Sequence, residues 1–244
     1  MTPFKDTYLN KKVLVTGHTG FKGSWLSLWL DHMGAEVFGI SDVIPTVPSH
    51  FESARLSEIV NHQFIDVRNT AGVKQAIDAI RPDFIFHLAA QPLVKKSYDC
   101  PLQTFEVNIL GTGNVLEAIR TADFPCVAVF ITSDKCYDNV EWTYGYRETD
   151  ALGGKDPYSG SKGGAELIIK SYFHSFLSNE PDRVRIGVGR AGNVIGGADW
   201  AEDRIVPDCV RHWSKGESVS IRSPHATRPW QHVLEPLSGY FLLG

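Results

Sequence analysis

The stretch from Lys12 to Trp25, KVLVTGHTGFKGSW, decides the fold. It opens with the β-branched run Lys12–Thr16, which predicts a buried strand, and it runs into the helical apolar spacing of Ser24–Met33. Between these two runs lie three glycines at intervals of three residues: Gly17, Gly20 and Gly23. Such glycines let the backbone turn tightly and approach a pyrophosphate, and the helix start offers free N–H groups. The stretch therefore predicts a dinucleotide-binding turn, and a plain strand-to-helix connection is the alternative.

Short β-branched runs alternate with longer runs of helical periodicity along the chain. Besides Lys12–Thr16, strands are predicted at Glu36–Ile40, Phe64–Asp66, Phe84–Leu88, Val127–Thr132 and Arg185–Gly189. Helices are predicted at Ser24–Met33, Thr70–Ile80, Thr104–Ala122, Ser161–Leu177 and Val206–Trp213. Strands that alternate with helices form right-handed crossovers. The pattern therefore predicts an α/β fold, a Rossmann-like doubly wound parallel sheet with helices on both faces.

The alternation ends near Gly192, where loops rich in Gly, Asp, Arg and Pro begin. We expect residues 1–190 to form a dinucleotide-binding domain and residues 191–244 to form part of a smaller substrate-binding lobe. Leu234 begins an apolar run with helical features, and the sequence stops about two turns later without a capping residue. We therefore expect a truncated lobe, and a short C-terminal helix docked on the core is the alternative.

The composition is that of a globular protein. The chain has 244 residues, of which 43% are apolar and 21% charged, and its net charge is −4. These values exclude a disordered, collagen-like or coiled-coil protein and predict no general attraction to nucleic acid or to an anionic membrane. The polar start lacks a signal-peptide core, and no apolar run is long enough to span a bilayer. The cysteines lie 26, 10 and 73 residues apart, without metal-ligand spacing. We predict a cytoplasmic protein without a metal site.

Acidic residues near the ends of the second and third strands indicate where an adenosine would bind. Asp42 lies about 20 residues beyond the glycine turn, the distance at which a carboxylate hydrogen-bonds the adenosine ribose. Between Ser41 and Ser53 no Lys or Arg is present to bind a 2′-phosphate, so NAD is predicted rather than NADP. Asp66, followed by Val67, is placed to approach adenine. A solvated loop position for Asp42 and a helix-capping role for Asp66 are the alternatives.

A second group of residues points to catalysis. Tyr158 and Lys162 form a YxxxK pattern, and residues four apart share one face of a helix. An ammonium group one turn away, together with a cationic nicotinamide, lowers the pKa of a phenol toward the range in which it acts as a base. Ser133 follows the predicted strand Val127–Thr132, 25 residues before the tyrosine, and supplies a hydroxyl for the same substrate oxygen. Ser133, Tyr158 and Lys162 together with the preceding glycine turn form a combination that is more specific than the YxxxK pattern alone.

These motifs, with the strand end Leu88–Ala90 and Asn108 on the central helix, resemble the extended short-chain dehydrogenase/reductases. Five stretches resemble more narrowly the CDP-glucose 4,6-dehydratases of that family: GHTGFKGSW, ITSDKCYDN, PYSGSKGGAE, RAGNVIGGADW and ATRPWQHVLEP. The resemblance covers nearly the whole chain. It implies a Rossmann domain with tightly held NAD, a C-terminal lobe for a nucleotide sugar, and CDP-glucose or another nucleotide-hexose as substrate.

The resemblance also implies a division of the chemistry. Tyr158 takes the proton of the sugar O4 while C4 gives hydride to NAD⁺, water leaves across C5–C6, and hydride returns to C6. Asp134, at the C6 hydroxyl, and Lys135, at C5, are the candidates for the elimination. Related hexose dehydratases use an Asp-Glu pair there, and this chain departs from them with a lysine. An exposed pair at a strand end is the alternative reading of these two residues.

The complete predicted site has three parts. The predicted catalytic residues are Ser133, Asp134, Lys135, Tyr158 and Lys162. The predicted cofactor-binding residues are Gly17, His18, Thr19, Gly20, Phe21, Lys22, Gly23, Asp42, Asp66, Val67, Leu88, Ala89, Ala90, Asn108, Tyr158 and Lys162. The predicted substrate-binding residues are Gln91, Asn193, Arg204 and Arg228, and each arginine has a surface ion pair as its alternative reading.

Two other functions fit the same motifs. A nucleotide-sugar 4-epimerase shares the glycine turn and the YxxxK pattern but does not need Asp134 and Lys135. A non-catalytic NAD(P)-binding regulator can lose the tyrosine, which this chain keeps. The resemblance also implies a homo-oligomer, a dimer or a tetramer, in which helices Thr104–Ala122 and Ser161–Leu177 pair across a two-fold axis.

Overall fold

A parallel six-stranded sheet forms the centre of the computed structural model, which describes residues 4–244. Its strands are β1 (Lys12–Thr16), β2 (Glu36–Ser41), β3 (Asn61–Phe64), β4 (Phe84–His87), β5 (Cys126–Ile131) and β6 (Val184–Gly189). Their order is β3-β2-β1-β4-β5-β6, and all neighbours are parallel. This order confirms the predicted Rossmann-like fold. Because the strand order reverses between β1 and β4, a crevice opens there at the carboxyl ends of the strands.

Helices cover both faces of the sheet. Those formed by residues 4–244 are α1 (Lys5–Tyr8), α2 (Phe21–His32), α3 (His50–Ser53), α4 (Thr70–Ile80), α5 (Val94–Asp99), α6 (Pro101–Phe105), α7 (Gly111–Thr121), α8 (Pro157–Tyr172), α9 (Ile205–Trp213) and α10 (Leu234–Leu243). A second, two-stranded parallel sheet pairs β7 (Asn193–Ile195) with β8 (Trp230–His232). No helix in the described residues has the length and apolar character needed to cross a membrane. The first three residues of the polar start lie outside this range.

The predicted third strand, Phe64–Asp66, is wrong. The structure places β3 at Asn61–Phe64, paired with Phe38–Ser41 of β2. This strand lies at the edge of the sheet, and most of its side chains are exposed. Because its sequence, NHQF, contains no β-branched run, no hydrophobic signal marks its position.

The two long helices that follow β4 and β5 begin earlier than predicted. Pro101 starts the first of them, as proline does at a first helical position, and a π-helical segment at Glu106–Leu110 joins α6 to α7. The second begins at Pro157, where the Asp156 carboxylate accepts a hydrogen bond from the Ser159 N–H at 2.9 Å. This cap places Tyr158 in the first turn of α8, at the carboxyl edge of the sheet.

The last helix, α10, packs on the sheet itself. It lies on the same face as α2, with Leu237 and Phe241 in the buried core. Tyr8 of α1 donates a hydrogen bond from its Oη to the Phe241 carbonyl at 2.9 Å, which joins the two ends of the described chain. A C-terminal helix docked on the core is thus what the described residues form. The predicted domain boundary at residue 190 stays a prediction.

Candidate active site

The glycine turn between β1 and α2 has a backbone that only glycine permits. Gly17 has a φ of +75°, and a Cβ there would lie 2.7 Å from the backbone nitrogen of Ala89. A Cβ on Gly23 would lie 2.1 Å from the carbonyl oxygen of Gly17. Gly20 is the N-cap of α2, and no side chain caps this helix. The first-turn N–H groups are therefore available to an anion, and the turn fits a pyrophosphate.

The side chain of His18 faces β2. Its side chain is fully buried, and its Nδ1 lies 3.0 Å from Ser41 Oγ. Gly39 leaves room for the ring, since a Cβ there would lie 2.4 Å from it. Burial lowers the pKa of His18 to about 4, so the ring is neutral. The ring faces β2, so a contact of His18 with the cofactor would be made by its backbone in the turn, and this contact stays a prediction.

The predicted ribose ligand, Asp42, is exposed directly after β2. The loop that carries it is tied to the glycine turn, because Thr19 Oγ1 donates a hydrogen bond to the Val43 carbonyl at 2.7 Å. This contact places the end of β2 beside the turn, where the adenosine half of a dinucleotide lies in this fold. The role of Asp42 stays a prediction.

Asp66 is held by its own neighbour. The Arg68 N–H donates to one carboxylate oxygen at 2.8 Å and the guanidinium to the other at 2.6 Å. Hydrogen bonds from Arg68 hold the pKa of Asp66 below its usual range. The side chain that caps α4 is Asn69, which accepts from the Gly72 N–H at 3.0 Å, so the capping alternative for Asp66 is wrong. Its proposed approach to adenine stays a prediction.

Beyond β5 the structure brings together four of the predicted catalytic residues: Ser133, Asp134, Tyr158 and Lys162. Ser133 Oγ donates to Asp134 Oδ1 at 2.9 Å and accepts from the Lys135 N–H at 3.2 Å. Ser133 also lies close enough to the phenol of Tyr158 to lower its pKa. Tyr158 and Lys162 are both buried, one turn apart on α8. Lys135 is half-buried in the same turn as Asp134.

Burial dominates the electrostatics of this group. It raises the pKa of Tyr158, against the opposing effects of the Ser133 hydrogen bond and of Arg204. Burial also lowers the pKa of Lys162 to about 8. The phenol is therefore protonated at neutral pH, and an added positive charge beside it is what would make it a base.

Lys22 and Arg204 also reach this site. Burial lowers the pKa of Lys22 to about 7, with Lys162 and Arg204 adding to the effect and Asp134 opposing it. Arg204 is held by two contacts of its Nη1 with the Asp199 carboxylate, at 3.0 and 2.9 Å. The site thus holds the cationic side chains of Lys22, Lys162 and Arg204 beside two carboxylates, Asp134 and Asp199, and this excess of cationic groups suits an anionic substrate.

The side chains of two predicted binding residues, Gln91 and Asn108, form several hydrogen bonds within the protein. The Gln91 amide donates to Thr104 Oγ1 at 3.0 Å and to the Leu93 carbonyl at 3.1 Å, and its oxygen accepts from the Leu93 N–H. Asn108 accepts from the Gln91 N–H and donates to the Gln91 carbonyl and to Ser161 Oγ. Both side chains thus fix the loop after β4 against α8, and their predicted contacts, of Gln91 with substrate and of Asn108 with the cofactor, stay predictions.

The remaining substrate candidates lie apart from the catalytic group. Arg228 is exposed and donates to the carbonyl of its neighbour Thr227 at 2.6 Å. Asn193 is half-buried at the start of β7, where its N–H bonds the Pro229 carbonyl at 2.9 Å. Within residues 4–244 neither side chain contacts the group around Tyr158. Their roles stay predictions.

A buried ion pair supports the site and was missed by sequence reasoning. Arg190, directly after β6, bonds both carboxylate oxygens of Glu166 at 2.8 Å. Thr132 donates to the same carboxylate, and Arg190 donates to Tyr137 Oη at 2.8 Å. The pair therefore joins the ends of β5 and β6 to α8. The sequence did contain a signal for Glu166, because this residue lies four positions beyond Lys162 and therefore on the same face of the helix.

His87 also escaped the sequence reasoning. It is buried at the end of β4, where its Nδ1 lies 2.7 Å from Thr16 Oγ1 and its Nε2 lies 3.0 Å from Thr112 Oγ1. Burial lowers the pKa of His87 to about 3, so the ring is neutral. It links β1, β4 and α7 beneath the crevice, and no spacing in the sequence distinguishes it from the other histidines.

Replacing Glu166 by Gln is expected to destabilise the fold by about 3–5 kcal/mol, because it leaves the guanidinium of Arg190 buried without its counter-ion. Burial raises the pKa of Glu166, but the hydrogen bonds from Arg190 and Thr132 outweigh it, and the net shift is downward. The carboxylate therefore contributes stability above its unfolded pKa of about 4.3, and this contribution is lost as the pH falls through the folded pKa. Chemical denaturation at pH 7 and at pH 4 measures the difference in the free energy of unfolding between the wild type and Glu166→Gln. This difference should be smaller at pH 4.

Glu117→Gln is the matched control. Glu117 also pairs with an arginine, Arg120, but both side chains are 37% exposed. The expected loss there is below about 1 kcal/mol. Equal losses in the two variants, or a Glu166→Gln loss that does not change with pH, would contradict the assignment of the buried pair.

Comparison with known proteins places the chain in a family. A family model described as GDP-mannose 4,6 dehydratase matches residues 14–240. CDP-glucose 4,6-dehydratase of Salmonella typhimurium is 50% identical over 98% of this chain and 67% of its own length. The chain spans 47–56% of the lengths of three further curated relatives.

Solved structures agree with this placement. UDP-glucose 4-epimerase of Thermus thermophilus, in complex with NAD, superposes with a TM-score of 0.79 at 28% identity, over 95% of this chain and 73% of that one. The dTDP-glucose 4,6-dehydratase DesIV of Streptomyces venezuelae, with NAD bound, gives a TM-score of 0.83 at 20% identity over 96% and 72% of the two chains, which shows the fold alone. From the family model and the curated relative, the chain belongs to the nucleotide-sugar 4,6-dehydratase family of the extended short-chain dehydrogenase/reductases.

Proposed function

We propose that the protein is a CDP-glucose 4,6-dehydratase, which converts CDP-glucose into CDP-4-keto-6-deoxyglucose for deoxysugar biosynthesis. The observation that carries this proposal is the sequence Ser133-Asp134-Lys135 at the end of β5, of which Ser133 and Asp134 lie beside Tyr158. It supplies an acid and a base for elimination beside the groups for oxidation. The curated relative with this activity adds support across nearly the whole chain.

NAD is the cofactor of this family, and the residues present fit it. A Cβ on Gly17 would clash with the backbone of Ala89 and a Cβ on Gly23 with the carbonyl of Gly17, so only glycines give this tight turn, and the uncapped start of α2 offers N–H groups to the pyrophosphate. When bound, the cofactor would supply a nicotinamide ring as the hydride acceptor for C4 of the sugar and as the hydride donor for C6. Asp42 is the proposed ligand of the adenosine ribose.

Tyr158 performs the first proton transfer. Its phenolate form, favoured by Ser133 and by the positive charges of Lys162 one turn away and of the bound cofactor, takes the proton of the sugar O4 as the 4-ketone forms. In the substrate complex the Ser133 hydroxyl turns from Asp134 to donate to the same sugar oxygen and fixes its position. The resulting 4-ketone acidifies the proton at C5, which prepares the elimination.

Asp134 and Lys135 act in the second stage. Asp134, held by Ser133, gives a proton to the departing C6 hydroxyl, and Lys135 removes the proton from C5. Arg204 is the proposed contact for the diphosphate, since a guanidinium suits phosphate oxygens and it already lies within electrostatic reach of Tyr158. A 4-epimerase would need the first stage only.

Location and assembly are proposed with the function. The cytoplasm is the proposed compartment, and the free state of all four cysteines is consistent with a reducing environment. A homo-oligomer is proposed through the two long helices, where Leu102, Leu110 and Leu167 are more than half exposed. Residues 191–232 are proposed as part of the substrate lobe, with α10 returning to the sheet.

Substrate carrying deuterium at C4 tests the reaction directly. The label is expected at C6 of the product, and C5 is expected to take its hydrogen from solvent, because hydride stays in the site while the C5 proton exchanges. Mass spectrometry and NMR of the product from CDP-[4-²H]glucose measure both positions. Label that remains at C4 would instead indicate a 4-epimerase, and net NADH release would indicate a plain dehydrogenase.

A further inference from the structure

Lys22 has a contact that the pyrophosphate turn does not require. It is the second residue of α2, and its side chain leaves the turn and crosses to the last helix. There its Nζ donates a hydrogen bond to Tyr240 Oη at 3.3 Å and lies 5.7 Å from the centre of the Tyr240 ring. These two residues are 218 positions apart, so the contact links the first loop of the fold to its last helix.

Tyr240 is built to receive this lysine. Gly189, the last residue of β6, leaves its side-chain space to the Tyr240 ring, since a Cβ there would lie 2.9 Å from that ring. The ring is buried, and burial raises the pKa of Tyr240, so the phenol stays protonated. A neutral hydroxyl oxygen can hold an ammonium group in place without neutralising its charge.

Charged groups from several elements face Lys22. Lys162 comes from α8, Arg204 from the residue before α9, and Asp134 from the turn after β5. Tyr158 lies within electrostatic reach of Tyr240. The single carboxylate does not offset the two cations and the burial, which together lower the pKa of Lys22 to about 7. The lysine is thus partly charged at neutral pH and shares the site with the catalytic group.

The direction of a bound dinucleotide follows from the turn. With its pyrophosphate on the start of α2, one half extends toward Ser41 and Asp42, and the other extends toward Ser133 and Tyr158. The second half carries the nicotinamide, because Tyr158 must meet the sugar that exchanges hydride with it. Lys22 points to this half. The oxidised ring carries one positive charge and the reduced ring carries none, so a fixed ammonium group opposes only the oxidised form.

We propose that Lys22, held by Tyr240, tunes the bound cofactor: its ammonium group favours the reduced nicotinamide over the oxidised one and so eases removal of hydride from the sugar C4. The proposal rests on the proposed function in that the cofactor is NAD and that its nicotinamide lies on the side of Tyr158. It gives Lys22 a role in setting the reduction potential of the bound cofactor, in addition to the predicted contact with the cofactor.

The midpoint potential of the bound cofactor tests this role. The holoenzyme is titrated with redox mediators while the absorbance of reduced nicotinamide at about 340 nm is followed, without any sugar substrate. In Lys22→Met the equilibrium is expected to shift about tenfold toward the oxidised form, which lowers the midpoint potential by about 30 mV for this two-electron couple. Lys22→Arg keeps the charge and is expected to stay near the wild-type potential.

The pH dependence supplies a second arm. A lysine is charged below its pKa, so the wild-type potential is expected to lie above that of Lys22→Met at pH 6 and to approach it by pH 8.5. The potential of Lys22→Arg is expected to lie above that of Lys22→Met at both pH values, because a guanidinium does not titrate in this range. Tyr240→Phe removes the hydroxyl but keeps the ring in the core, and it is expected to shift the potential part of the way toward Lys22→Met.

The controls separate this role from structure and from substrate identity. Lys74→Met removes an exposed lysine paired with Asp78, and the potential should not change. A Lys22→Met holoenzyme with the wild-type potential at both pH values overturns the proposal, and so does a parallel loss of affinity for both redox forms. If CDP-glucose is not the substrate, the proposed function fails while the potentials, measured without sugar, still stand.

Discussion

Turnover of the Tyr158→Phe variant is expected to fall by about 10²–10⁴-fold, the range for loss of a general acid or base. Tyr158 is only 9% exposed and lies close to Ser133, so the substitution removes the proposed proton acceptor for O4 and leaves the packing of the ring intact. Oxidation itself should stop. Steady-state turnover of CDP-glucose should collapse, and the absorbance of reduced nicotinamide at about 340 nm should not rise during a single turnover.

Tyr98→Phe is the matched control. Tyr98 is 64% exposed on α5, so the same chemical change there should leave turnover within experimental error. Thermal unfolding of both variants checks that the fold is unchanged. A Tyr158→Phe enzyme that keeps most of its turnover, or that accumulates reduced nicotinamide, would remove Tyr158 from the first proton transfer.

The sheet could be predicted because buried parallel strands leave a direct hydrophobic signal. The run Lys12–Thr16 matches β1 residue for residue, and Thr70–Ile80 matches α4. The edge strand β3 has no such run, because its side chains face solvent and its pairing with β2 is made by the backbone. Residue propensity and hydrophobic periodicity identify elements whose side chains are buried. They do not identify an element such as β3, whose side chains are exposed and which is held by backbone pairing.

The site was predictable where its chemistry depends on spacing along the chain. Glycines three residues apart and a YxxxK pattern are local, and the structure gathers Ser133, Tyr158 and Lys162 as that pattern suggests. The direction of a side chain depends instead on distant partners. Gln91 turns to Thr104 because the loop after β4 needs its hydrogen bonds, and Lys22 turns to Tyr240 because a glycine at the end of β6 leaves space for that ring.

Lys135→Met and Asp134→Asn are expected to slow elimination by about 10²–10⁴-fold while oxidation at C4 continues. Both side chains leave the turn that follows β5, where Ser133 accepts from the Lys135 N–H and donates to the Asp134 carboxylate. Reduced nicotinamide should therefore accumulate on the enzyme after CDP-glucose is added. A transient rise in absorbance at about 340 nm, absent from Tyr158→Phe, is the signature of this block.

Lys155→Met and Asp138→Asn repeat the same chemical changes at exposed positions in the segment that joins β5 to α8, and neither should produce the transient. The two catalytic-group variants also differ from each other in one respect. Exchange of the C5 proton with solvent deuterium should be lost in Lys135→Met, which lacks the base, and retained in Asp134→Asn, which lacks only the acid. If Lys135→Met keeps both turnover and exchange, another group takes the C5 proton.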